Sequence, residues 1–367
     1  MKLKNILEKP FYLLALILSI FSVSALCETV DAEVATNRIL ENSYIEKSFG
    51  TCVVSHVHSV LLQTSGNGIS LNCLPEDLPS RIGLLKDFLS TSLLIGNHNE
   101  AYSYLKLLES EAKKLRPEAR KAFSNSIAMT REILSNTKRI RSHKRRLKSR
   151  YEGEIEGLGV TIKNQYYSID TGAFYGTKKL TVNEGKVKLS SFQAEMFDAN
   201  YAIEDGLVFT ENEEYVLGQQ YLYQSEVINF KQPITAVTSK ELFYWAGNIF
   251  FVAELQLASL KFEERIVCVD TGSSHSYIDD KAIFTAMEKV KALKSEEFVY
   301  IEIESSNRIS SARAYRINVE NSILKGQYYL IVQPEINRVC DVILGKDWAS
   351  NNLVNLSLRN RFLEIAN

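Results

Sequence analysis

"CVDTGSSHSYI", Cys268 to Ile278, sets an aspartate in a turn of small residues between two apolar runs. Burying a carboxylate there is costly unless its charge is used, because apolar surroundings disfavour the ionised form. The arrangement occurs twice. "SIDTGAFYG", Ser168 to Gly176, places Asp170 100 residues before Asp270, and each triplet follows a run of strand composition.

Each Asp-Thr-Gly has a second partner downstream. "DVILGKDWASNNLVNL" carries Gly345, 75 residues after Asp270, and "EYVLGQQYLYQSEVINF" carries Gly218, 48 residues after Asp170. Both share a Leu-Gly step, an aromatic residue three positions past the glycine, and a closing strand-like run. The lead-in runs "GVTIKNQYYSI" and "LQLASLKFEERIVCV" correspond as well. Self-comparison therefore predicts an internal duplication, with lobes at 151–237 and 248–367.

Asp-Thr-Gly-(Ala/Ser) followed by an apolar-apolar-Gly strand resembles the aspartic proteases. "DTGSSHSYI" with "VILGKDW" is similar to the retropepsin-like branch, which holds the retroviral and retrotransposon proteases and their cellular relatives. Lobes near 100 residues also favour that branch over the longer pepsin chains. The resemblance covers roughly the last 215 residues. It implies a mainly β fold of two pseudo-symmetric β-barrel lobes, preceded here by a small α-helical domain. Two motifs in one chain imply a single-chain pseudo-dimer, with each aspartate buried to face its twin.

The resemblance also assigns roles. Asp170 and Asp270 would form the catalytic dyad of a hydrolase that cuts peptide bonds. Two carboxylates in close contact cannot both ionise cheaply, so they share a proton. One then acts as base on a water, and the other donates to the substrate carbonyl. No metal, cofactor or covalent intermediate is required. Gly172 and Gly272 allow close approach. Thr171 and Thr271 would bond across to the opposite lobe, and Leu217, Gly218, Leu344 and Gly345 would pack behind the loops. Ala173 follows the first motif and Ser273 the second, so a hydroxyl is expected to donate to Asp270 alone. A covering hairpin is expected in "YIEIESSNRISSARAYRI", with Ser306, Asn307 and Arg308 at its tip. The first lobe has less sequence for one. The competing readings are a non-catalytic peptide- or protein-binding protein on this scaffold, and a protease active only as a homodimer of the second lobe.

The remaining sequence sets the context. A net charge of −1 over 367 residues makes no case for nucleic acid or a membrane surface as partner. Lys2, Lys4 and Lys9 flank the apolar "FYLLALILSIFSVSA", so 1–25 reads as a signal peptide, or else an anchor, and the rest as periplasmic or secreted. An exported chain can oxidise its cysteines. Cys52 with Cys73 is the first pair expected and Cys268 with Cys340 the second, which leaves Cys27 over; sequence does not fix the connectivity, and buried free thiols are the alternative.

Residues 26–77 read as a mixed segment, in which "TCVVSHVHSVLLQ" has strand composition and would put His56 and His58 on one face. A metal site there lacks a third ligand nearby. Residues 78–137 switch to helical periodicity, with two helices in an antiparallel hairpin and a third opening at Pro117. The basic run "KRIRSHKRRLKSR", 138–150, reads as a linker. Residues 26–150 are expected to serve either as a pro-segment over the aspartates or as a module that binds a protein partner or substrate. Beyond Tyr151, "KAIFTAMEKVKAL" is the one clear helix.

Overall fold

A computed structural model describes residues 30–366 except 43–48, 65–67, 135–153, 163–164, 173–202, 205–206, 210–214, 223–226, 231–235, 294–297, 306–307, 321–322, 333–338 and parts of 122–133. The segment read as a signal peptide, Cys27, the basic run 138–150, Ala173 and the hairpin-tip residues Ser306 and Asn307 lie outside the described residues. No helix among the described residues is long and apolar enough to cross a membrane.

The amino-terminal part is helical. α1 covers 30–42, α2 is Thr51–Leu61, α3 is Leu78–Leu94 and α4 is His98–Ala112. Every described residue from 117 to 134 is helical (α5), and Pro117 begins it. The Asp77 side chain caps α3 by accepting from Ser80 N at 2.8 Å. Gly96 follows α3 at φ +75°, where a side chain would be strained, and Asn97 caps α4. Ala101, Tyr104, Leu105 and Leu108 are all buried, as the periodicity predicts. Glu111, wholly buried, joins the two helices by accepting from Arg81 of α3 at 2.9 Å and from Lys114 at 2.7 Å.

α2 corrects the expected strand. Val53, His56, Val57, Val60 and Leu61 are the buried positions. That spacing is one face of a helix, and its burial outweighs the β-branched composition. His56 and His58 therefore do not share a face. His56 is buried against Phe88 and Tyr104, whereas His58 Nδ1 meets Thr36 Oγ1 at 3.2 Å. Both expected disulfides are present, Cys52–Cys73 and Cys268–Cys340, with Cα separations of 5.7 and 5.6 Å. In a chain-entropy account, closing these loops contributes about 3 and about 4 kcal/mol.

The first β unit is a six-stranded sheet. Its strands are β1 (Glu154–Glu156), β2 (Gly159–Ile162), β3 (Gln165–Ile169), β4 (Ile203–Glu204), β5 (Leu207–Phe209) and β6 (Tyr215–Leu217), in the order β1-β2-β3-β6-β5-β4. The short helix α6 (Gln219–Leu222) follows the Leu-Gly step, then β7 (Ile228–Asn229) and β8 (Val237–Glu241).

The second unit holds β9 (Phe243–Trp245), β10 (Asn248–Leu257), β11 (Leu260–Val269), β12 (Tyr277–Ile278), α7 (Lys281–Lys289), β13 (Phe298–Ser305), β14 (Arg308–Val319), β15 (Gly326–Ile331) and β16 (Val342–Leu344). It ends with α8 (Lys346–Asn352), β17 (Leu353–Ser357) and β18 (Phe362–Ala366). Its eight-stranded sheet runs β13-β14-β15-β12-β16-β11-β10-β9. α6 and α8 add to the one helix expected beyond Tyr151, each formed directly after a Leu-Gly step.

Corresponding strands pair alike in the two units. β3 runs parallel to β6 with Ile169 opposite Leu217, and β11 runs parallel to β16 with Val269 opposite Leu344. A third, four-stranded sheet joins the units in the order β7-β17-β18-β8, so the carboxy-terminal hairpin lies between two strands from the connecting segment.

Alternation along β10 and β11 explains the layering. Phe250, Val252, Ile266 and Cys268 face one core, which contains the helices α1 to α4. Phe251, Ala253, Val267 and Val269 face the other, with α7, α8 and the hairpin β17–β18. Both faces of the sheet are covered, so its central strands are apolar almost throughout. Phe88 of α3 meets Trp245 edge-on at 5.1 Å between ring centroids. Arg38 of α1 pairs with Asp341 just before β16 and lies 3.7 Å from Asp280, which Arg265 approaches at 3.5 Å.

Candidate active site

The two Asp-Thr-Gly triplets lie at the ends of β3 and β11, and they meet. Thr171 N donates to Thr271 Oγ1 at 3.1 Å, and Thr271 N donates to Thr171 Oγ1 at 3.0 Å. Each hydroxyl then donates onward into the other unit: Thr171 Oγ1 to Val269 O at 2.7 Å, and Thr271 Oγ1 to Ile169 O at 2.6 Å. Both threonines are wholly buried, so each hydroxyl has its donor and acceptor capacity used away from water.

The crossing brings each carboxylate against the opposite triplet. A Cβ on Gly172 would run into the Asp270 carboxylate, and a Cβ on Gly272 into that of Asp170. Glycine is needed at both positions for close approach rather than for an unusual φ. Within each loop, Gly172 N donates to Asp170 Oδ1 at 2.9 Å and Gly272 N to Asp270 Oδ1 at 3.1 Å. Behind Asp270 lies a cavity of about 40 Å³, lined in part by Thr171, Asn248, Cys268 and Ile343. It has room for a few waters and not for a peptide side chain.

Ser273 corrects one expectation. Its hydroxyl donates to His275 O at 2.9 Å and so is not spent on Asp270. The backbone takes that place, with Ser273 N donating to Asp270 Oδ1 at 3.2 Å. Nearby, burial and the charges of Asp270 and Asp279 push the Tyr277 phenol well above its usual range.

In the second unit the Leu-Gly step lies against the loop. Asp270 N donates to Leu344 O at 2.9 Å. A Cβ on Gly345 would lie 2.5 Å from the His275 carbonyl carbon, so only glycine fits. Leu344 is buried, and Gly218 is buried beside Gln219. β13 and β14 pair antiparallel, in register up to Ser305 opposite Arg308.

Three features escaped the motif reading. In the second unit Asp347 braces the loop, accepting from Ser276 N at 3.0 Å and from Ser276 Oγ at 2.6 Å, while Ser276 Oγ accepts from Gly345 N at 2.8 Å. In the first unit wholly buried Gln219 donates to Thr171 O at 2.7 Å and to Gly247 O at 2.6 Å. Asp341 anchors α1 and also accepts from Ile266 N at 2.8 Å. Burial raises the Asp341 carboxyl above its usual range, with Arg38 opposing. The aligned runs "LGQQY" and "LGKDW" pointed to Gln219 and Asp347, but the motif gave no reason to single them out.

Comparison with known proteins agrees over the second unit. Residues 260–367 match the family model for the retroviral aspartyl protease. This part of the chain is therefore similar to a retropepsin-like aspartic protease domain. The match takes in Asp270 and Gly345 and begins well after Asp170. Among solved structures, a retropepsin-like aspartic protease from Rickettsia conorii is 12% identical, covering 37% of this chain and 95% of its own, with a TM-score of 0.25. Basic 7S globulin from soybean is 10% identical, covering 35% of this chain and 42% of its own, with a TM-score of 0.21. No curated protein matches. The retropepsin-like domain carries aspartic-type hydrolase chemistry and a polypeptide substrate as its coarse functional reading.

Proposed function

We propose that the chain is an aspartic endopeptidase of two duplicated, pseudo-symmetric lobes, in which Asp170 and Asp270 form one catalytic pair. The observation that carries this is the reciprocal Thr171–Thr271 crossing, with each motif glycine against the opposite carboxylate. The matching parallel pairings, β3 with β6 and β11 with β16, support the duplication.

In this reading the pair shares one proton. The ionised member takes a proton from a water held between the carboxylates, and that water attacks the scissile carbonyl carbon. The protonated member donates to the carbonyl oxygen, giving a gem-diol. Proton transfer to the amide nitrogen and breakage of the C–N bond release the two products. Asp270, with two backbone N–H donors on Oδ1, suits the ionised role.

Single-chain action is favoured over a homodimer of second lobes. Thr271 already has Thr171 as its partner, and β7 and β8 of the same chain flank the hairpin β17–β18. Export is part of the proposal, supported by two disulfides among the described residues. The close packing of α1 to α4 on the sheet supports a permanent part of the enzyme rather than a pro-segment to be shed.

The test is cleavage of a mixed peptide library across a pH series by the wild type, Asp170→Asn and Asp270→Asn. Loss of cleavage in both variants is the expected result. Loss in Asp270→Asn alone transfers the chemistry to a homodimer. A wild-type chain that cuts nothing favours the peptide-binding reading.

A further inference from the structure

We propose that Gln219 is a positioning residue for Asp170, holding the first active-site loop against a turn that the helical layer itself anchors. The inference rests on reading Asp170 as half of a catalytic pair.

Gln219 is the first residue after the Leu-Gly step of the first unit, and its side chain is wholly buried. Both partners of its amide nitrogen, Thr171 O and Gly247 O, are carbonyls that can only accept. This fixes the amide orientation and uses both N–H bonds. One bond reaches the residue next to Asp170. The other reaches the tight turn between β9 and β10.

That turn needs support. Ala246 and Gly247 both have positive φ, +50° and +80°, and Trp245 pairs with Asn248 on either side, so this is a two-residue hairpin turn. A non-glycine residue in the left-handed region is uncommon and relies on its surroundings. Ala246 N donates to Thr91 Oγ1 of α3 at 3.1 Å, and the Thr91 hydroxyl donates back to Asp87 O at 2.8 Å. Thr91 is wholly buried. A continuous path of buried and part-buried polar contacts thus runs from α3 through Thr91, the turn at 246–247, Gln219 and Thr171 to the residue next to Asp170.

The position matching Gln219 in the second unit is Lys346, whose side chain is exposed and whose backbone N donates to Ser273 O at 2.7 Å. The second loop takes its brace from Asp347 and Ser276 inside its own unit. The first loop takes part of its brace from outside its own unit, through Gln219 and the turn fastened to α3.

The experiment uses the full chain with Gln219→Met, which keeps length and apolar bulk but has no donor, together with Thr91→Val and Thr91→Ser. Hydrogen exchange is followed over Tyr166–Gly172 and Ile266–Gly272, beside kcat, KM and the pH profile on a cleavable peptide. Gln219→Met is expected to speed exchange of the first segment at least tenfold and the second less than twofold. It is expected to lower kcat at least tenfold with KM within threefold, and to move the acid limb of the profile. Thr91→Val should shift the same quantities several-fold, and Thr91→Ser should behave as wild type. If Gln219→Met does not fold, the Thr91 pair decides. Wild-type exchange in the first segment for Gln219→Met and Thr91→Val overturns the proposal, as does faster exchange with unchanged kcat and pH profile. A wild type without Asp170-dependent cleavage defeats the protease reading and the positioning role with it, while the exchange data separately decide whether the brace exists.

Discussion

The two Asp-Thr-Gly loops meet through four symmetric hydrogen bonds and are held from behind in different ways. The second loop rests on Ser276, Asp347 and Gly345, all within its own unit. The first hangs partly on Gln219, which reaches a turn fastened to α3. The symmetry is confined to atoms that face the twin carboxylate. Where a loop faces its own scaffold the contacts differ, and Gln219 ties the first loop to a turn fastened to α3.

The symmetric part is broken most severely at the glycines. Gly172→Ala and Gly272→Ala each drive a methyl group into the opposite carboxylate. Each is expected to lower kcat/KM by about a thousandfold or more, since misplacement of a reacting group by about 1 Å already costs on the order of a hundredfold. Equal losses in the two variants, measured on one peptide, sharpen the symmetry; an active variant of either breaks it.

The helical anchor comes next. Arg38→Met strands buried Asp341 without its cation, while Asp280 keeps Arg265 at 3.5 Å, and is expected to cost about 3 kcal/mol in denaturant unfolding. The folded Asp341 carboxyl titrates above its unfolded value, so the native form binds a proton more readily. Its contribution to stability is therefore present in acid and falls as pH rises through that raised range. The deficit of Arg38→Met should accordingly be largest near neutrality and shrink in acid.

Asp347→Ala removes a charged acceptor from two Ser276 donors. It should cost about 2 kcal/mol and loosen the second loop, leaving exchange of the first loop unchanged. An equal response in both loops removes the distinction between their braces.

The smallest effect concerns the interior of the helical layer. Burial lowers the His56 imidazole to about 4. The unfolded chain then takes up the proton first as pH falls, and stability is lost between about pH 6.5 and 4, on the order of 2 kcal/mol. His56→Phe should flatten that slope in melting temperature against pH.

The paired triplets and Leu-Gly steps were legible because they rest on short-range patterns: a triplet after a strand, a Leu-Gly step before a helix, a glycine where no Cβ fits. The Cys52–Cys73 pair was legible because both cysteines sit in one short segment, whereas nothing in the sequence settles that Cys268 meets Cys340. The strand expected at Thr51–Leu61 failed because β-branched composition was weighted above the spacing of Val53, Val57, Val60 and Leu61, which is helical. The hydroxyl of Ser273 was assigned to the carboxylate because a sequence does not reveal that His275 O lies closer to hand. Gln219 and Asp341 were missed for a related reason. Each acts on residues far away in the chain, and burial makes those contacts count.

The sheet that joins the units carries a consequence for timing. Its inner strands, β17 and β18, follow its first strand β7 by 124 residues, counted from Asn229 to Leu353. At about 5–20 residues per second of synthesis, β7 waits roughly 6–25 s for its neighbour. Until then the sheet that joins the two units is incomplete. In the proposed reading, the sheet that joins the two units bearing the catalytic pair is thus completed only once residues 353–366 have been made.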